Sequence, residues 1–154
     1  MIIDIIKSNF KIIIFGFIFT FFSSFGQSFF IGLFNSSIRI DLNISHGQFG
    51  TIYALATLIS SLSLIWIGKK IDDFKLISFS FFVILLLFFS SIFFSFINNI
   101  YLLFIGIFLL RLSGQGLMSH TATTSISRFF NFNRGKALSI TWLGLSAAEF
   151  IMPI

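Results

Sequence analysis

Five apolar runs separated by short polar connections account for nearly all of the chain. Four of them cover residues 12–34, 48–67, 76–97 and 100–125. A fifth starts near Ala137 and is still apolar at Ile154. A membrane-crossing helix needs about 20 mostly apolar residues at about 1.5 Å rise each. The first four runs have that length, and the fifth, over 137–154, just reaches the lower limit. The pattern therefore predicts an all-α, polytopic transmembrane helical bundle of about five helices, with residues 1–11 as a short N-terminal segment. The first run is expected to stay in the mature chain. Its apolar stretch exceeds the ~7–15 residue core of a secretory signal, and no small-residue cleavage site is present; the first alanine is Ala54.

The polar connections carry their own signals. Ser45-His46-Gly47-Gln48 has the S-x-x-Q spacing of a capping box at the start of the second helix. Asn98-Asn99 suits a tight turn between the third and fourth helices.

Lysine and arginine divide unevenly between the two sides of such a bundle. Lys7, Lys11, Lys69, Lys70, Lys75, Arg128, Arg134 and Lys136 fall on the side of the N-terminus. Arg39 is the one basic residue in the connections on the other side, and Arg111 lies within the fourth run. The positive-inside rule then places the N-terminus in the cytoplasm of a multi-pass protein of the cell (inner) membrane.

Composition supports the same class. The chain has 154 residues, 56% hydrophobic and 10% charged, whereas a soluble domain is about a quarter charged. A soluble fold of this size could not build its polar surface from so few charges. A disordered chain is excluded by the same numbers, and a disulfide scaffold by the lack of cysteine. The net charge of +5 does not point to nucleic acid, because the basic residues sit in short clusters and form no continuous face for a phosphate backbone. Codon bias accounts for the 26 phenylalanines better than an aromatic binding function does.

Small and polar residues recur on single faces of four helices, as close helix packing in lipid requires. These are Gly16, Thr20, Ser23, Ser24 and Gln27 in the first, and Gly50, Ala54, Thr57, Ser61 and Gly68 in the second. The fourth has Gly106, Ser113, Gly116, His120 and Thr124, and the fifth Ala137, Thr141, Gly144 and Ala148. The third, rich in Phe, Leu and Ile without glycine or charge, reads as the lipid-facing helix. Such stripes serve either plain packing or a substrate path, the latter best supported for Gln27.

Arg111 and Glu149 are the charged residues within the runs. A charge at mid-bilayer costs about 2.5 kcal/mol or more, which makes each a candidate functional residue. Arg111 lies about 17 Å from the outer end of its helix and Glu149 about 18 Å from the inner end of the next, so both sit near the midplane. A contact between them is expected. It would serve either as a structural ion pair or as an anionic-substrate or proton-linked pair. His120 reads as a polar packing residue rather than a proton relay. Two histidines, no cysteine and no ligand spacing give no metal site, and nothing calls for a cofactor.

Several segments in order resemble the major facilitator superfamily. Gly68-Lys69-Lys70-Ile71-Asp72-Asp73-Phe74-Lys75 is similar to its loop between helices two and three, G-x-x-x-D-basic-x-G-basic. Gly68 and Asp72 fit in place, while Asp73 stands at a usually basic position and Lys75 at the second glycine. Leu110-Arg111-Leu112-Ser113-Gly114-Gln115-Gly116 resembles the family's helix-four pattern, and Arg134-Gly135-Lys136-Ala137 its basic turn before helix five. Residues 24–31 and 45–50 look like a bacterial subgroup, and Gly144 to Pro153 is similar to a helix-five pattern of glycine and small residues ending near proline. The resemblance implies a secondary transporter that binds a small solute at the midplane between two six-helix halves. It also implies a cytoplasmic gating role for Gly68 and Asp72, cavity-facing roles for Arg111 and Gln27, and packing roles for Gly114, Gly116 and Gly144. Since the family needs about twelve helices, the chain is expected to be an N-terminal fragment, inactive alone, whose partners are the lipid bilayer and the missing C-terminal helices. The alternatives are a small non-transport membrane subunit that packs against a partner protein, and an intramembrane enzyme. The second of these rests on Gly144-Leu145-Ser146-Ala147, which lacks the last glycine of a G-x-S-x-G elbow and any following histidine.

Overall fold

A computed structural model describes residues 9–153; residues 1–8, with Lys7, and Ile154 lie outside the described part. The elements are α1 (Phe10–Phe22), a 3-10 turn (Ser23–Gly26), α2 (Ser28–Leu33), α3 (Asn35–Asp41), α4 (His46–Lys69) and a second 3-10 turn (Lys70–Asp72). There follow α5 (Leu76–Phe94), α6 (Ile100–Leu110), a π-helical stretch (Arg111–Met118), α7 (Ser119–Phe129) and α8 (Arg134–Ile151). Among the described residues there is no strand. Four segments are long and apolar enough to cross a membrane: Phe10–Leu33, His46–Asp72, Leu76–Phe94 and Ile100–Phe129. The 18-residue α8 is less apolar than these, because it carries Arg134, Lys136 and Glu149.

Local chemistry sets the ends. The Ser45 hydroxyl accepts from the Gln48 backbone N–H at 3.1 Å, and the Gln48 side chain accepts from the Ser45 N–H at 2.8 Å. The capping box thus satisfies two donors that the first turn of α4 would leave unpaired. Asn99 Oδ1 accepts from the Leu102 N–H at 2.9 Å and starts α6. Asn133 takes a left-handed φ of 62° just before α8, a conformation in which asparagine is enriched.

The first apolar run is not one helix. It tightens into the 3-10 turn at Ser23, becomes extended at Gln27 (φ −81°, ψ 155°) and resumes as α2. The cause lies across the bundle. A Cβ on Gly26 would fall on the Leu110 carbonyl and the Gln115 backbone nitrogen, and one on Gly114 would come within 2.6 Å of the Gly26 nitrogen. The first and fourth spans therefore meet backbone to backbone, which only glycines permit. Ser23, Ser24, Gln27 and Ser28 interrupt the apolar run here, but too briefly to divide it by length.

The fourth span is the centre of the bundle. Leu103, Ile107, Leu117, Ala122 and Ile126 in it are fully buried. The widened turns of Arg111–Met118 rotate its lower part against its upper part, so the stripe of small residues faces two neighbours, the third and the second spans, rather than one. Gly106 packs on Phe94 and Ile97, Ser113 reaches Ser90 at 3.4 Å, and Gly116 meets Leu64. α8 packs along α1, where Gly16, Thr20, Gly144 and Thr141 interlock and the Thr20 hydroxyl donates to the Thr141 carbonyl at 2.6 Å.

The third helix keeps a broad exposed apolar surface, with Phe81, Phe82, Phe88 and Phe89 exposed. Only 11% of the most apolar stretch of the second span is buried, against 28% for the third and 56% for the fourth. α5 supplies Phe79, Val83 and Leu87 to the core. On α4 the small-residue face is divided: Gly50, Ala54 and Ser61 are exposed, with no atom within 4 Å of a Cβ built on Gly50, while Gly68 is buried against His120. The two helices look alike in hydropathy but differ in which face has a neighbour within the chain.

Candidate functional site

Arg111 is the buried charge of this bundle, 7% exposed, at the first turn of the π-helical stretch. Its Nη1 donates to the Gly26 carbonyl at 3.1 Å and to Ser28 Oγ at 3.3 Å. The 3-10 turn ends at Gly26, so the guanidinium caps the carbonyl end of the broken first helix, where the helix dipole favours a cation. The Tyr53 ring lies 5.2 Å from the guanidinium carbon, within cation–π range. The Tyr53 hydroxyl donates to Ser28 Oγ at 2.7 Å, closing a ring of contacts among the first, second and fourth spans. Arg111 Nε is buried without a partner among the described residues. Beside it lies a cavity of about 180 Å³ lined by Ser60, Ser61, Leu64, Arg111, Gln115 and Gly116.

Glu149 does not meet Arg111. It is exposed on α8, and among the described residues it takes part in none of the ion pairs, which are Lys70–Asp73 and Arg128–Asp72. The expected pair fails because α8 packs on α1 and the 3-10 turn, which stand between it and the π-helical stretch. Adjacency in sequence placed the two charges at one depth but on different neighbours. Gln27 is half-buried at the break itself. It sits between Gly26 and Ser28, the two residues that hold the guanidinium.

A second cluster forms at the end of the bundle where α4 and α7 finish. Asp72, in the 3-10 turn, pairs with Arg128 near the end of α7; both side chains are more than half exposed. Gly68 is buried, and its carbonyl lies 3.2 Å from His120 Nε2. Together with Leu64 and Thr124 these residues line a cavity of about 390 Å³. Asp72 thus has a partner within this chain.

The packing glycines are each explained by contact. Gly114 abuts Gly26, Gly116 abuts Leu64, and a Cβ on Gly144 would fall on the Phe17 carbonyl and Thr20 Oγ1. Ser146, the residue of the enzyme alternative, is exposed on α8. Among the described residues no three His, Asp or Glu side chains are grouped to hold a metal ion.

Sequence reasoning missed Tyr53, Ser28 and Arg128. The polar cluster Ser23, Ser24, Gln27 and Ser28 around Gly26, inside an apolar run, was the available sign of a break near Ser28. Tyr53 had no such sign, because its role depends on how α4 leans over the fourth span.

Among known proteins, a family model of the Major Facilitator Superfamily matches residues 16–154. No curated protein and no solved structure matches the chain. The family match covers the first membrane-length segment from Gly16 onward, the other three in full and α8, including the arginine-glycine stretch of the fourth and the Gly68–Asp72 turn. The chain belongs to the major facilitator superfamily of membrane transporters.

Proposed function

We propose that the chain is the N-terminal part of a secondary transporter that carries a small solute across the cell (inner) membrane, with its N-terminus in the cytoplasm. The observation that carries this reading is Arg111, buried at a break in the first span beside a cavity between the second and fourth. Transporter sites are commonly built at discontinuous helices whose freed backbone groups face the solute or ion. Here the freed carbonyl of Gly26 is held by Arg111. The solute would pass the Arg111 cavity as the bundle rocks against a second set of helices. Asp72 with Arg128 and Gly68 with His120 would form the cytoplasmic gate.

On this reading the chain works together with further helices and does not transport alone. The exposed small-residue face of α4 at Gly50, Ala54 and Ser61 supports that requirement, since such faces are where membrane helices approach closely. The test is solute flux in proteoliposomes that hold the chain together with the helices encoded downstream of codon 154. Flux in the pair and none with the chain alone is expected. Co-purification of an unrelated protein on the α4 face, with no flux in the pair, would favour the small-subunit alternative.

A further inference from the structure

Arg111 stands in the bundle with its charge unanswered. The acidic residues of the described chain are elsewhere. Asp41 ends α3, Asp72 and Asp73 lie in the turn after α4, and Glu149 is exposed on α8. None forms an ion pair with Arg111. A buried cation without a counter-charge is costly in a membrane, and such groups are normally paired.

The guanidinium is also fixed in place. Nη1 is bound to Gly26 and Ser28, and Tyr53 covers a ring-facing side. Both hydrogen bonds leave from Nη1 and Nε is closed off from the cavity, so the donors to spare are those of Nη2. A guanidinium N–H that meets a carboxylate oxygen makes a short, charge-assisted hydrogen bond, roughly twice as strong as a neutral one. Gln115 lines the same cavity and adds an amide N–H donor. The Ser60 and Ser61 hydroxyls both donate to the Thr57 carbonyl at 2.9 Å, so anion recognition falls to Arg111 and Gln115. At about 180 Å³ the space suits a solute of about the size of a single aromatic ring, since a cavity of about 150 Å³ holds benzene.

We infer that the Arg111 cavity binds the carboxylate of a small monoanionic solute, and that this is the solute class of the transporter. The inference rests on the transporter reading for its biological meaning, but its test does not need flux. The purified 154-residue chain in nanodiscs of zwitterionic lipid is titrated with benzoate and with benzamide, which share a shape and differ in charge. Calorimetry reads binding, and circular dichroism checks helicity.

Benzoate should bind at least 10-fold more tightly than benzamide to the unaltered chain. Arg111→Gln should bring benzoate down to the benzamide level, and Gln115→Leu should weaken benzoate severalfold. Arg111→Lys, which keeps the charge but loses the fork, should fall between. Equal binding of the two probes to the helical, unaltered chain, or no benzoate binding to it, overturns the inference whatever the variants do. Charge-selective binding without flux in the paired proteoliposomes would sink the transporter reading and leave the anion site standing. Flux of a neutral or cationic solute, unaffected by Arg111→Gln, would do the reverse.

Discussion

Adding one methyl group at Gly144 should open the seam between α1 and α8. A Cβ there falls on the Phe17 carbonyl and on Thr20 Oγ1, and a carbonyl oxygen in a helix cannot swing aside as a side-chain end can. An ordinary C···O contact of about 3.3–3.6 Å is restored only if the helices part by roughly 1 Å. A gap of about that size forfeits roughly a quarter to a half of each dispersion contact along the seam. Overpacking of this kind costs about 1–3 kcal/mol. Separation also stretches the 2.6 Å bond from Thr20 to the Thr141 carbonyl, and an interhelical hydrogen bond in a membrane protein averages about 0.6 kcal/mol. Alanine gains about 0.8–1.0 kcal/mol over glycine in helix propensity, which masks part of the loss. Gly50→Ala removes that ambiguity, because the same exchange on α4 meets nothing within 4 Å. The difference between the two variants should be about 2–4 kcal/mol, or roughly 30- to 700-fold in the unfolding constant. Reversible unfolding in mixed micelles, followed by the fluorescence of Trp142 on α8, measures it. If Gly144→Ala and Gly50→Ala unfold at the same denaturant fraction, the close seam does not exist and the argument fails.

Other perturbations follow from single contacts. Ser45→Ala should cost about 0.5–2 kcal/mol by removing the N-cap of α4, and hydrogen exchange at the Gln48 amide should quicken; unchanged exchange would show the cap to be idle. The Asp72–Arg128 pair is more than half exposed on both sides, so a double-mutant cycle with Asp72→Asn and Arg128→Gln should give at most about 1 kcal/mol of coupling. That coupling should shrink in high salt, and coupling that survives 1 M salt would contradict the surface character assigned to the pair. The chain has no cysteine, so single-cysteine variants report topology cleanly. In intact cells Asn98→Cys should react with a membrane-impermeant maleimide and Asp73→Cys should react only after permeabilisation; the opposite pattern would invert the orientation.

Much of the architecture is readable from the order of residues, because the bilayer imposes a length and a polarity on every crossing. The capping box at Ser45 and the turn at Asn98-Asn99 are local chemistry, and local chemistry survives folding. The Gly144 and Thr141 face of the fifth helix is legible for the same reason, since small residues in lipid have few uses besides close approach. What escaped was relational. The break at Gln27 is forced by Gly114 on a helix far along the chain. The π-helical stretch shifts the facing of Gly116 and His120 by turns that hydropathy does not register. Arg111 was legible as a buried charge, but its real partners are a carbonyl, a hydroxyl and a ring. A search for an opposite charge could not find them.

The contact between Gly26 and Gly114 also has a mechanical meaning. Two backbones that touch with no side chain between them leave nothing to shear, so the crossing is a fulcrum. α1 extends from it as an arm of 13 residues, about 20 Å long at 1.5 Å per residue. A tilt of about 5° at the fulcrum moves the far end of that arm by nearly 2 Å, on the order of the helix shifts that accompany switching in other proteins. Because α8 is locked to α1 through Thr20 and Gly144, a tilt of α1 would carry α8 with it and would have to slide Gly16 past Ile126 of α7. Arg111, bonded to Gly26 itself, sits at this crossing, so a ligand drawn to its charge would act where the least travel is needed to tilt the arm.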